Sequence, residues 1–235
     1  MKLKLVIVLI ILSLFIPDLA GAQTKDKLEF EFWQMQYQLK DIVETREDVR
    51  EIAGELGLES NIAMKLNYRF WDGTEAGNNQ LENFTLDAVK DFAASEDEKL
   101  ALGLGVDYYQ QTIESERIDL SQLDKKSLQL VVDVEKELMD RVNLFTKFKY
   151  GLYNDYQFFN KNLESDISYD SNYSYSIKSG LSFKVGSGLN AKLGYKFSQE
   201  SLERSNSGNT IINGYDLSLF NQLQYGLFLG LETKF

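Results

Sequence analysis

The sequence predicts an all-β fold: an antiparallel, up-and-down transmembrane β-barrel of eight strands, following a cleaved signal peptide. Three observations predict it. From Leu28 onward apolar residues recur at every second position, the period of a strand with two unlike faces. The alternating spans are joined by tight turns and longer polar connections, in a hairpin rhythm. Beyond residue 22 no stretch is apolar enough for a transmembrane helix. A mature chain that crosses a membrane must then do so as a closed barrel, where each backbone polar group finds a strand partner.

The leader comes first. Met1-Lys2-Leu3-Lys4 is a short basic start, and Leu5 opens an apolar run that ends at Ile16. That run has the length of a signal-peptide core and is too short to span a bilayer. Ala20-Gly21-Ala22 supplies the small residues a signal peptidase needs, so the cut is expected before Gln23, with residues 1–22 as signal peptide and 23–235 as the barrel. Its removal takes away Lys2, Lys4 and Asp18 and leaves 23 basic and 35 acidic side chains, a net charge of −12. So acidic a chain has no broad basic face for phosphates, which argues against a nucleic-acid partner. The absence of Cys excludes a disulfide framework, a thiolate metal site and a lipid anchor on Cys.

Eight strands follow, at about 28–40, 60–71, 98–113, 125–138, 142–158, 167–185, 189–199 and 214–235. The first slips phase near Phe32-Trp33, as a bulge would. In the third, Leu100, Leu102, Leu104, Val106 and Tyr108 alternate with Ala101, Gly103, Gly105 and Asp107. The last keeps Tyr225, Leu227, Leu229, Leu231, Thr233 and Phe235 in one phase, with a hairpin near Asn221 as a variant. Met139-Asp140-Arg141 and Gly186-Ser187-Gly188 are tight turns, whereas 41–59, 114–124, 159–166 and 200–213 are longer and polar. With the C-terminus in the periplasm, the tight turns are periplasmic and those four connections lie outside. Residues 72–97 break this pattern as a long periplasmic excursion, in which Leu81, Phe84, Ala88 and Phe92 have helical spacing. A ten-stranded barrel that uses part of 72–97 is the structural alternative. Residues 41–57 also read as a helix, packed on the rim through Ile42, Val49, Ile52, Ala53 and Leu56.

Alternation also suits a soluble barrel with its apolar face turned inward. Two features favour lipid outside. The span from Tyr225 to Phe235, at about 3.3 Å per residue and a tilt of about 40°, rises roughly 25 Å, the height of a membrane barrel's apolar band. Aromatics also sort by end: Tyr37, Tyr108, Tyr150, Tyr173, Tyr175, Tyr195 and Tyr225 toward one, and Phe30, Phe32, Phe70, Phe183 and Phe235 toward the other. Such belts belong where amphipathic rings meet headgroups.

The terminal strand, Leu227, Leu229, Leu231 and a final Phe235 on one face, resembles the C-terminal signature of Gram-negative outer-membrane β-barrel proteins. The strand count suggests the small OmpA/OmpX type. The resemblance implies an integral outer-membrane location and contact with outer-membrane lipid. It also implies passage by periplasmic chaperones, and Phe235 as the signal read by the barrel-assembly machinery. Thr233 departs from an all-apolar pattern.

The opposite phase faces the lumen and carries Asp133, Glu135, Lys147, Lys149, Lys178, Lys192 and Lys196 among glycines. The turn at 139–141 sets Asp133 opposite Lys147, a favourable pair. The turn at 186–188 sets Lys178 opposite Lys196, which repel unless an acid from another strand lies between them. Charges inside a narrow barrel must be paired or hydrated, so this face is expected to be a salt-bridge network filling the lumen. A charged path for ions is the alternative.

Catalysis is expected to be absent. The chain has no His and no Cys. The enzymes of the outer-membrane barrel class use a His as base or orienter, so the resemblance transfers no mechanism. Asp133 with Glu135 is the obvious carboxylate pair for a carboxylate-only mechanism, and beside several lysines structural pairing is the expectation for both. No phosphate loop, zinc spacing or EF-hand pattern appears, so no cofactor or metal is expected. The expected role is structural, in envelope integrity or in surface binding through the outer loops, with no extracellular partner identified. A narrow porin-like channel and a soluble periplasmic ligand-binding barrel are the rivals.

Overall fold

The computed structural model describes residues 26–39, 43–58, 61–72, 80–93, 97–113, 121–160, 166–205, 211–212, 215–216 and 218–235. The signal peptide and its cleavage site lie outside the described residues. In chain order the strands are β1 (Lys27–Leu39), β2 (Val43–Gly57), β3 (Ile62–Asp72), β4 (Gln80–Ala93), β5 (Glu98–Ile113) and β6 (Ser121–Met139). Then come β7 (Val142–Asn160), β8 (Ile167–Gly186), β9 (Leu189–Arg204), β10 (Ile211–Ile212), β11 (Tyr215–Asp216) and β12 (Leu219–Lys234). β10 and β11 form a separate two-stranded ribbon. The other ten strands close an antiparallel up-and-down barrel, β12 returning to pair with β1 so that Phe30 faces Leu231.

The barrel therefore has ten strands, not eight. From Val43 on, the helix expected at 41–57 is β2, residues 41–42 lying outside the described ones, and the excursion at 72–97 contains β4. Both misreadings have a physical cause. On β2, Val49 points inward while Ile52 and Leu56 point outward, so the apolar residues are divided between the two strand faces and their spacing mimics a helix. On β4, Phe84, Ala88 and Phe92 are four apart, a spacing that suits a helix turn and a strand face equally. Adding β2 reverses β3, so Phe70 sits near the outer end rather than the periplasmic one. It also removes the anomaly. The connections at one end, 58–61, 94–97, 140–141 and 187–188, are all short; at the other end 73–79, 114–120, 161–166 and 205–218 are longer, and only 40–42 is short. The latter is called the outer end below.

No bulge exists at Phe32-Trp33, because β1 keeps one register along both neighbours. What changes there is the solvent each face meets. The inward face runs Glu29, Glu31, then Trp33, Met35, Tyr37 and Leu39. Bulges occur instead at Leu152 of β7 and Asn172 of β8. β12 runs unbroken through Asn221, so the hairpin lies before it, in the ribbon.

The barrel wall has zones. In the middle, outward side chains are apolar and exposed, as with Leu102, Leu104 and Val106 on β5 and Leu227, Leu229 and Leu231 on β12. Tyr108, Tyr150, Tyr173, Tyr175 and Tyr225 point outward at the upper border of this zone, with Tyr195 below them. Tyr37 departs from the expected belt: its side chain is buried inside. Above the belt the faces exchange character. Outward residues become Gln36, Gln38, Arg46, Asp48, Gln110, Asp124, Asp155 and Gln157. Inward ones become a packed cluster of Met35, Tyr37, Leu39, Trp71, Ile113, Leu123, Phe158, Ile167 and Tyr169. The outer third is thus an apolar plug inside a polar wall.

Two glycines are dictated by the backbone. Gly188 closes the β8–β9 turn at φ 74°, where a Cβ would be strained. Gly226 on β12 lies under Trp33; an added Cβ would fall 1.9 Å from the Gln34 carbonyl oxygen and 2.7 Å from Trp33 Nε1. Gly226→Ala is expected to cost about 1–3 kcal/mol of unfolding free energy in urea titrations of the refolded protein, because the backbone contact cannot relax away.

Candidate functional site: the luminal charge network

Below the plug the lumen holds a cavity of about 590 Å³. It reaches from Lys27, Lys99 and Lys234 at the inner mouth to Tyr109, Gln222 and Gln224 beneath the plug. Three groups of ion pairs line it.

The first joins β1, β2, β3, β8, β9 and β12. Glu31 sits between Lys178 and Lys196 and pairs with both. Lys196 Nζ also lies 2.8 Å from Glu51, whose carboxylate accepts from Arg69 Nε at 3.1 Å. Lys192 Nζ lies 2.8 Å from Glu29 and 2.6 Å from Glu232. Aromatic faces complete the cation environment: Lys178 is 5.1 Å from the Phe228 ring centre and Lys196 is 5.3 Å from that of Trp33.

The second spans β3, β4, β6 and β7. Asp87 is 2% exposed and takes Lys147 at 2.6 Å and Lys149 at 2.8 Å. Asp133 takes Lys65 at 2.6 Å. The third lies higher: Lys125 pairs with Glu200 and lies 3.5 Å from Asp107, and Glu200 also accepts from Tyr156 Oη and from Ser174 Oγ at 2.9 Å.

The seven expected luminal residues divide accordingly. Lys178, Lys192 and Lys196 share the first group, and the acid needed between Lys178 and Lys196 is Glu31. Asp133, Lys147 and Lys149 belong to the second group. Asp133 does stand opposite Lys147 in register, but its ion pair is with Lys65, and Lys147 turns to Asp87. Glu135 stands apart near the inner mouth, accepting from Asn143 Nδ2 at 2.7 Å. Sequence reasoning missed Glu29, Glu31, Glu51, Lys65, Asp87 and Glu200. Glu29 and Glu31 had a signal, since they alternate with Phe30 and Phe32. Glu51 and Asp87 lie on the two strands that were not recognised.

Each cation of these groups is already met by a carboxylate, so the arrangement neutralises charge across the lumen and braces strands far apart in sequence. Among the described residues no group of His, Cys, Asp and Glu is arranged to hold a metal ion.

The closed ten-stranded barrel with an apolar outer belt has the fold of the outer-membrane β-barrels. Among solved structures the chain is similar to the outer-membrane protease OmpT of Escherichia coli, at 12% identity and a TM-score of 0.59, over 92% of this chain and 99% of that one. It also matches the translocator domain of the autotransporter NalP from Neisseria meningitidis (12% identity, TM-score 0.47, 93% and 91% coverage). A third match is Neisserial surface protein A (12%, 0.42, 90% and 97%). The fold likeness rests on the first of these. No family model matches the chain, and no curated protein matches it.

Proposed function

We propose that the protein is an integral outer-membrane barrel that is closed to passage and non-catalytic. Its role is structural or lies in surface binding, through the outer connections and the strand ends above the tyrosine belt. The observation that carries this reading is the plug: Leu39, Ile113, Leu123 and Tyr169 are each at most 1% exposed, in the part of the lumen that a conducting path would have to cross. The apolar outward band and its tyrosine border support insertion in lipid. The lack of His supports a non-catalytic role, since a carboxylate base would have to work among lysines that already neutralise it.

Purified, refolded protein in a planar bilayer is expected to give no discrete current steps, after a heat-dependent gel shift has verified folding. Stepwise currents would establish instead the second reading, a narrow channel, which the charged cavity of about 590 Å³ favours.

Phe235 is proposed as the residue read by the barrel-assembly machinery, after delivery by periplasmic chaperones. Its backbone N–H donates to the Asp26 carbonyl at 3.0 Å, while its side chain is 61% exposed. Phe235→Ala is therefore expected to lower the folded yield in cells several-fold yet leave refolding into detergent unchanged. Equal loss in both settings would mark Phe235 as a packing residue only.

A further inference from the structure

The β7–β8 ladder is interrupted. The strands pair from Val142↔Phe183 to Tyr150↔Tyr175 and again from Asp155↔Asp170 to Phe158↔Ile167. Residues 151–154 and 171–174 lie opposite one another without pairing. The register is the same on both sides of the break because each strand carries one extra residue there. β7 has Leu152 in excess over β6, and β8 has Asn172 in excess over β9. Two bulges at one height on adjacent strands interrupt the regular ladder there. In a membrane wall, a buried polar group without a partner is costly unless something meets it.

What surrounds the break indicates what meets it. Outward, Tyr150, Leu152, Tyr153, Tyr173 and Tyr175 frame it at the height of the upper belt. Inward stand Gly151 and Ser174, which also line the luminal cavity. Asn154 is 8% exposed, and its amide occupies the space that a side chain on Gly151 would take. Its Oδ1 and the Oγ of Ser171 are buried without a hydrogen-bond partner. Asp155 and Asp170 face one another directly above the break and point outward, whereas on the luminal side Lys125 and Glu200 already neutralise one another. The break therefore presents an aromatic mouth, unsatisfied polar groups behind it, and no unpaired luminal charge beside those groups to match an ionic head.

We propose that the break between β7 and β8 is a lateral slot that binds an uncharged amphiphile from the outer leaflet, its apolar body among Tyr150, Tyr153 and Tyr173 and its polar head hydrogen-bonded to Asn154 and Ser171. The proposal rests on the membrane-spanning reading above. It departs from that reading in giving the barrel wall a small-molecule site of its own.

The cysteine-free chain makes the test direct. Ser171→Cys is the reporter, with Ser174→Cys as a second should the first not fold. Leu229→Cys reports the lipid face, and Thr85→Cys reports a buried luminal position on β4 away from the slot. Each folded variant in phosphatidylcholine vesicles is treated with N-dodecylmaleimide, itself an uncharged amphiphile, and with a thiol reagent carrying a quaternary ammonium head on the same chain. The expected result is modification of Ser171→Cys by the maleimide at least about tenfold faster than Thr85→Cys, and about tenfold slower once Asn154→Ala is added, while the cationic reagent reaches only Leu229→Cys. A Ser171→Cys as slow as Thr85→Cys, beside a reactive Leu229→Cys, would overturn the slot and leave membrane insertion standing. Fast modification of both Ser171→Cys and Thr85→Cys at equal rates would mean entry along the lumen and would also overturn it. An unreactive Leu229→Cys would remove the membrane reading, and the slot with it.

Discussion

Replacing Asp87 with Ala is expected to lower the unfolding free energy by about 3 kcal/mol, the low end of the range for breaking a buried ion pair. Asp87 is 2% exposed and is the shared partner of Lys147 and Lys149. These lysines project two residues apart from the same face of β7, so without Asp87 they repel each other. The low end applies because both lysines border the cavity, where water takes up part of the stranded charge. A double-mutant cycle separates the pair term from lost packing. Asp87→Ala with Lys149→Met should be less destabilised than the sum of the single variants. Guanidinium unfolding of refolded protein measures both. A loss below about 1 kcal/mol for Asp87→Ala would mean that the lumen is wet enough to make these contacts surface-like.

Asp87 also shows where sequence reading stops. The period of two was legible wherever one face stayed apolar and outward and the other in the lumen, as along β5 and in the lower half of β12. Strand class, turns at 139–141 and 186–188, the cross-strand facing of Asp133 with Lys147, and that of Lys178 with Lys196 all follow from that alternation. The reading failed where a strand changes solvent along its length. β2 runs from a water-facing Arg46 and Asp48 to an outward Ile52 and Leu56, so neither face is uniformly apolar. β1 keeps its register but exchanges luminal acids for plug aromatics, which looks like a phase slip. Losing β2 and β4 hid Glu51 and Asp87, the acids that answer Lys196 and the Lys147–Lys149 pair. Most of the network's cations were therefore visible before most of its anions, Lys65 and Asp133 being among the exceptions. Ion pairs between strands such as Lys196 and Glu51 depend on how the barrel closes, which local alternation does not encode.

Leu123→Lys is expected to destabilise the protein by about 3–5 kcal/mol, whereas Gln129→Lys on the same face of the same strand should cost about 1 kcal/mol or less. The contrast isolates the plug. Both side chains point inward from β6, but Leu123 is fully buried among apolar neighbours and Gln129 borders the charged cavity. Lysine at 129 keeps its head in a lumen that already holds carboxylates such as Asp107 and Glu200. Lysine at 123 must lose its hydration with no acid in the surrounding cluster, or force the cluster apart. If the outer third were instead a wet continuation of the lumen, the two substitutions would cost the same. Equal unfolding midpoints would thus remove the observation on which the closed-barrel function stands. A large gap has the opposite implication. The outer third would then be held by the same apolar burial that holds a water-soluble barrel. Its strand ends could keep their shape clear of the bilayer and present the outer connections on a rigid rim, as a surface-binding role requires.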